Sequence, residues 1–101
     1  MNETVSISAL IQAVEVADSA GGLVQAVRSL AMSKSPQAIE TLIEVLGYNN
    51  PGAAVAAVDG LAAIGRDAVP ALLAQLDGYN YGARAWAIRA LSIIGDPRAW
   101  K

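Results

Sequence analysis

Cysteine and histidine are both missing from this sequence of 101 residues. Without them there are no disulfides, no thiol nucleophiles, no imidazole general bases and none of the usual zinc sites. The redox compartment stays open, because a chain without cysteine is at home in either. Phenylalanine is also absent, and aromatic residues make up only 5% against 54% hydrophobic residues overall. The apolar content is therefore alanine, leucine, isoleucine and valine, small side chains suited to closely packed helices. Charge is scarce too, at 16% of residues with a net charge of −2. No basic face exists to meet nucleic acid, and Lys34 and Lys101 are the only lysines, so a polybasic membrane patch is lacking. No apolar run approaches the roughly 20 residues of a membrane span. The opening Met1-Asn2-Glu3-Thr4 is acidic to neutral, which predicts no signal peptide. With neither leader nor span, the chain is expected in the cytoplasm. Gly21-Gly22 lacks the strand, the spacing and the lysine of a phosphate loop. Glu40 and Glu44 lie one helical turn apart, as solvated pairs on many helices do, and read poorly as catalytic carboxylates. What remains points to binding, with no side-chain chemistry of the chain's own.

What is present is repetition, which has to be read before any other pattern. The stretch Ala38 to Leu46 matches Ala68 to Leu76 at an offset of thirty residues, pairing Ile39 with Val69, Leu42 with Leu72, Ile43 with Leu73 and Leu46 with Leu76. Each set falls at i, i+3, i+4 and i+7, one stripe of an α-helix. A turn follows in both copies: Gly47-Tyr48-Asn49-Asn50-Pro51-Gly52 and Gly78-Tyr79-Asn80-Tyr81-Gly82. A second helix comes next, with Val58, Leu61, Ile64 and Gly65 matching Ile88, Leu91, Ile94 and Gly95. Gly65 and Gly95 stand where a helix end favours positive φ, and Pro51 and Pro97 suit a first helical turn. A weaker copy precedes these, with Leu23, Val27 and Leu30 on its second helix and Ile7, Leu10, Ile11 and Val14 on its first.

The pattern predicts six helices, over about 4–18, 22–33, 36–46, 51–64, 67–77 and 82–94. They pair into hairpins over 4–33, 36–64 and 67–94, and Asp96-Pro97-Arg98-Ala99 begins a further repeat within 96–101. No alternating run or Asn-Gly hairpin signals a strand. A lone hairpin cannot bury both its apolar stripes, so neighbours must stack around a shared core. The expected fold is all-α, a single HEAT-like α-solenoid domain over 1–101 of about three hairpins, the minimum for such a stack. The rival is a compact helical bundle. The helix over 82–94 would need a cover, from Trp100, from a partner or from a following repeat.

Few polar residues are left for function. Tyr48, Asn49, Asn50, Tyr79, Asn80 and Tyr81 place rings and amides at the same corner of successive repeats. Asparagine caps helices and tolerates left-handed turns, so one reading is structural. The other is a ridge presented to a partner, where aromatic anchors are favoured. Arg28, Asp59 and Arg89 form a column of alternating charge on the second helices, either a ladder or the lining of the inner face. Arg84, Trp86 and Arg89 share the last helix. Trp86 stands where the preceding repeat has Ala56, so the repeat does not require bulk there. It is either an interface residue or the filler of a terminal gap.

Asn80-Tyr81-Gly82-Ala83-Arg84-Ala85-Trp86-Ala87-Ile88-Arg89-Ala90-Leu91, followed by Ile94-Gly95-Asp96-Pro97-Arg98-Ala99, resembles the short HEAT-like repeat of phycobilisome lyases. Arg84 falls on that repeat's arginine, and Asn50 and Asn80 on its aspartate. The Gly-Tyr-Asn turns with Arg84-Ala85-Trp86 resemble more specifically the CpcF-type subunits of the CpcE/CpcF family of phycocyanin α-subunit phycocyanobilin lyases, over nearly the whole chain. The resemblance implies a cyanobacterial subunit, or the N-terminal part of one, that pairs with a CpcE-type HEAT-like subunit. Together they hold an open-chain tetrapyrrole, phycocyanobilin, as transferred substrate and not as a tightly bound cofactor. They deliver it to a cysteine of the phycocyanin α subunit. In that picture the enzyme acts by positioning, and the thiol belongs to the acceptor. Tyr48, Asn49, Asn50, Tyr79, Asn80, Tyr81, Arg84, Trp86 and Arg89 would face partner or bilin, with arginine suited to the bilin propionates. An alternative is a non-catalytic HEAT-like adaptor that binds phycobiliproteins in phycobilisome assembly or degradation. Two departures stand out. Family members run longer, and Leu23 and Ala54 occupy the positions equivalent to Arg84.

Overall fold

A computed structural model describes residues 6–95. Among them, six α-helices run α1 Ile7–Val16, α2 Ala20–Met32, α3 Ile39–Val45, α4 Pro51–Ile64, α5 Val69–Gln75 and α6 Tyr81–Gly95. The helices over 36–46 and 67–77 are split by the chain itself. Single 3-10 turns, Pro36–Ala38 and Gly65–Ala68, lead into α3 and α5. Tight turns of this kind commonly begin or end α-helices.

Local chemistry fixes where the helices start. Ser6 Oγ accepts from the Ala9 N–H at 3.1 Å, Ser19 Oγ from the Gly22 N–H at 3.0 Å, and Ser35 Oγ from the Gln37 N–H at 3.2 Å. Each satisfies a backbone donor that the first turn leaves open. Pro51 occupies the first turn of α4, where its missing N–H costs nothing. At the other end of α4, Gly65 adopts φ 83°, the left-handed conformation that glycine reaches without penalty. Gly95 behaves differently: it is still the last residue of α6, without positive φ.

The hairpins α1/α2, α3/α4 and α5/α6 stack in order, with α4 packed on both α2 and α6. The result is a slab 40 × 32 × 18 Å, two helix layers in its thin direction. Leu30, Leu42, Leu46, Leu61 and Leu72 are fully buried along one continuous core. Each contributes about 1.5–3 kcal/mol relative to exposure. Being central, α4 buries Ala53, Ala54, Ala56, Ala57, Val58, Gly60 and Leu61, most of its circumference. Two of its glycines face α2. A Cβ on Gly60 would lie 2.6 Å from the Ala31 Cβ, and one on Gly52 would lie 3.0 Å from a Val24 methyl. The all-α solenoid expected from the repeats is the fold observed, and no strand occurs among the described residues.

Candidate partner- and ligand-binding surfaces

The corners that precede the second helices run along one edge of the slab. Asn50 caps α4: its Oδ1 accepts from the Ala53 N–H at 3.1 Å, while its Nδ2 donates to the Ala20 carbonyl of the first hairpin at 3.2 Å. Asn80 does the same for α6, its Oδ1 accepting from the Ala83 N–H at 2.9 Å and its Nδ2 donating to the Gly47 carbonyl at 3.1 Å. Each amide thus ties its own helix start to the repeat before it. This two-sided use gives a structural account of Asn50 and Asn80, as helix caps, and it draws the three corners into a row.

On this row the rings point outward. Tyr79 is 98% and Tyr81 78% exposed, Tyr48 is 43% exposed, and Asn49 is exposed as well. Large side chains held this far into solvent contribute little to folding. Tyr48, Asn49 and Asn50 also border a shallow hollow shared with Asp18, Ser19 and Leu23 of the first hairpin. Arg84 is half-buried and lies over the Tyr81 ring at 5.0 Å, a cation–π distance that steadies both side chains. Trp86 is half-buried against the core, so it serves packing and surface together. Arg89 is exposed on α6.

The charged column does not behave as a ladder: Arg28, Asp59 and Arg89 are exposed and form no ion pair among the described residues. Arg28 and Asp59 instead border a groove of about 420 Å³ between α2 and α4. Its walls include Met32, 74% exposed, and Val55, 46% exposed; Gly52, Ala56, Gly60 and Ala63 form its α4 side. Lys34 lies at its end, with φ 54°. Sequence reading offered Arg28 and Asp59 as the lining of an inner face but did not name Met32, Lys34 or Val55 beside them. Two signals were available: a small residue at each turn of α4, and a lysine at position 34 where the next repeat has Gly65. Glu40 and Glu44 are exposed beside Ile43 and α5, apart from both surfaces. The proposed lid at Trp100 and the repeat starting at Asp96 lie outside the described residues.

This stack of capped helix hairpins agrees with the match to the HEAT repeats family, whose model covers residues 7–78 and 49–101. The chain belongs to the HEAT repeat family. Its curated relatives carry more specific names. It is 67% identical over 96 residues to the phycocyanin alpha phycocyanobilin lyase CpcF of Synechocystis sp., covering 95% of this chain and 45% of that protein. It is 62% identical over 90 residues to a phycobilisome maturation protein of Synechococcus elongatus, covering 89% and 44%. With a phycocyanobilin lyase subunit beta of Pseudanabaena tenuis it shares 63% over 92 residues, covering 91% and 33%. The resemblance to CpcF-type lyase subunits therefore extends over most of this HEAT repeat chain. The chain spans less than half the length of these relatives. None of its described helices is long and apolar enough to cross a membrane.

Proposed function

We propose that this chain forms part of a heteromeric bilin lyase, acting with a CpcE-type HEAT-like subunit to position phycocyanobilin for thioether attachment to a cysteine of the phycocyanin α subunit. The observation that carries this reading is the 67% identity over 95% of the chain to a protein named as that lyase. The residue inventory is consistent with it. A chain with no cysteine or histidine offers no thiol to take up the pigment and no imidazole base of its own. In an addition of thiol to pigment, the acceptor's sulfur forms the new C–S bond and its proton passes to the pigment. The lyase contributes orientation of the two reactants and exclusion of wrong addition. The outward tyrosines suit contact with a protein partner, since tyrosine supplies large area at low entropic cost. Localisation in the cytoplasm belongs to the same reading.

A second reading, a phycobiliprotein-binding adaptor without bilin transfer, is favoured by the relative named as a phycobilisome maturation protein. Co-expression with a CpcE-type subunit, a bilin source and the phycocyanin α subunit separates the two. A covalent fluorescent product that requires this chain supports the lyase. Binding to phycocyanin with no such product assigns the adaptor role.

A further inference from the structure

The groove between α2 and α4 combines features that no folding role requires. Met32 and Val55 offer apolar side chains to solvent along it. Arg28 and Lys34 bring two positive charges to it, and neither forms an ion pair among the described residues. Asp59 adds one carboxylate, likewise without an ion pair. On the α4 side the groove is bordered by Gly52, Ala56, Gly60 and Ala63, with Gly60 packed against Ala31 at its floor. Its volume, about 420 Å³, lies in the range of small-molecule sites.

Lys34 is a second, independent observation. It follows the C-terminus of α2 in the left-handed region, φ 54°, its N–H bonded to the Ala31 carbonyl at 3.2 Å. The next repeat places Gly65 there, with φ 83°. A lysine in this conformation carries a steric penalty that glycine avoids. The structure holds that strain at a residue that borders the groove, the kind of placement associated with binding sites.

We propose that this groove seats the carboxylate-bearing part of an open-chain tetrapyrrole, with Arg28 and Lys34 meeting its propionates, Met32 and Val55 covering its rings, and Asp59 accepting from its pyrrole N–H groups. The proposal rests on the bilin reading above and gives that reading a site. An elongated conjugated molecule with anionic arms and a row of N–H donors matches this combination of charges and apolar walls. A groove for an acidic peptide would have no use for Asp59. Guanidinium and ammonium groups recognise carboxylates through charge-assisted hydrogen bonds.

The test uses free phycocyanobilin and its neutral dimethyl ester, titrated against the chain and followed by the visible absorbance and induced circular dichroism of the pigment. The acid is expected to bind roughly tenfold more tightly than the ester, the size of one charge-assisted contact. The double variant R28Q/K34G is expected to lose that preference. Lys34→Gly alone should raise the melting temperature while weakening the acid, a split that a merely structural role for Lys34 would not produce. Equal binding of acid and ester, no pigment binding, or a preference retained by the double variant would overturn the proposal. So would a double variant that keeps the preference but no longer captures the phycocyanin α subunit, which would assign the cations to the protein partner. Bilin transfer in the co-expression assay is read separately. Transfer that survives R28Q/K34G sinks the groove and leaves the lyase reading standing. Pigment binding without transfer does the reverse.

Discussion

The Asn80 side chain donates to the carbonyl of Gly47, 3.1 Å away in the preceding repeat, while its oxygen caps α6. Gly47 has to be glycine for this approach, since a Cβ there would lie 2.9 Å from the Asn80 Nδ2. Replacing Asn80 by Ala removes both bonds and should cost about 1–2 kcal/mol. Asn80→Asp keeps the capping acceptor and loses only the donor to Gly47, so it should cost less. Urea denaturation of the two variants checks the order. Equal losses would mean that the cap contributes nothing, and an Asn80→Asp variant as stable as the parent would mean that the bridge between repeats contributes nothing.

Two glycines on neighbouring helices should respond oppositely to alanine. Gly60→Ala forces a methyl against Ala31 and should destabilise by about 1–3 kcal/mol. Gly21, near the start of α2, has nothing within 4 Å of its missing Cβ, so Gly21→Ala should raise stability by up to about 0.5 kcal/mol. Thermal melts followed by circular dichroism would show one transition moving down and the other slightly up.

Equivalent positions in successive repeats should differ in cost. Ile43 is 8% exposed and Leu73, its counterpart, is 50% exposed. Ile43→Ala should therefore cost about 2–4 kcal/mol and Leu73→Ala below about 1 kcal/mol. If the isolated chain lost as much from Leu73→Ala, some cover over α5 would have to exist.

Trp86 and Tyr79 separate packing from recognition. Trp86→Ala removes a half-buried ring and should lower stability by about 1–2 kcal/mol as well as weakening partner binding. Tyr79→Ala removes a fully exposed one and should leave stability within about 0.5 kcal/mol. Pull-down with a CpcE-type subunit, paired with melting curves, reads both effects. Tyr79→Ala with unchanged capture would remove the corner from the interface. Trp86→Ala with a large drop in melting temperature and intact binding would make Trp86 a core residue alone.

The sequence by itself determined the helices, their pairing and their order. Helical periodicity is local, and so is the chemistry of starts and stops, which is why Pro51 and Gly65 mark the two ends of α4 by residue type alone. It also carried the resemblance in the Gly-Tyr-Asn turns, which the relatives bear out. Tertiary structure alone decided the rest. Val58 and Ile88 are equivalent letters in the repeat, yet one is 2% and the other 57% exposed. The reason is that α4 has a helix on either side, whereas no described helix follows α6. Asn50 and Asn80 read as caps or contacts from sequence, and only the stacking of hairpins brings a carbonyl of the previous repeat within reach of each free amide nitrogen. The groove bordered by Arg28, Lys34 and Asp59 exists for the same reason. No single helix contains it, because it is the space left where glycine and alanine let two helices approach and the larger side chains turn outward.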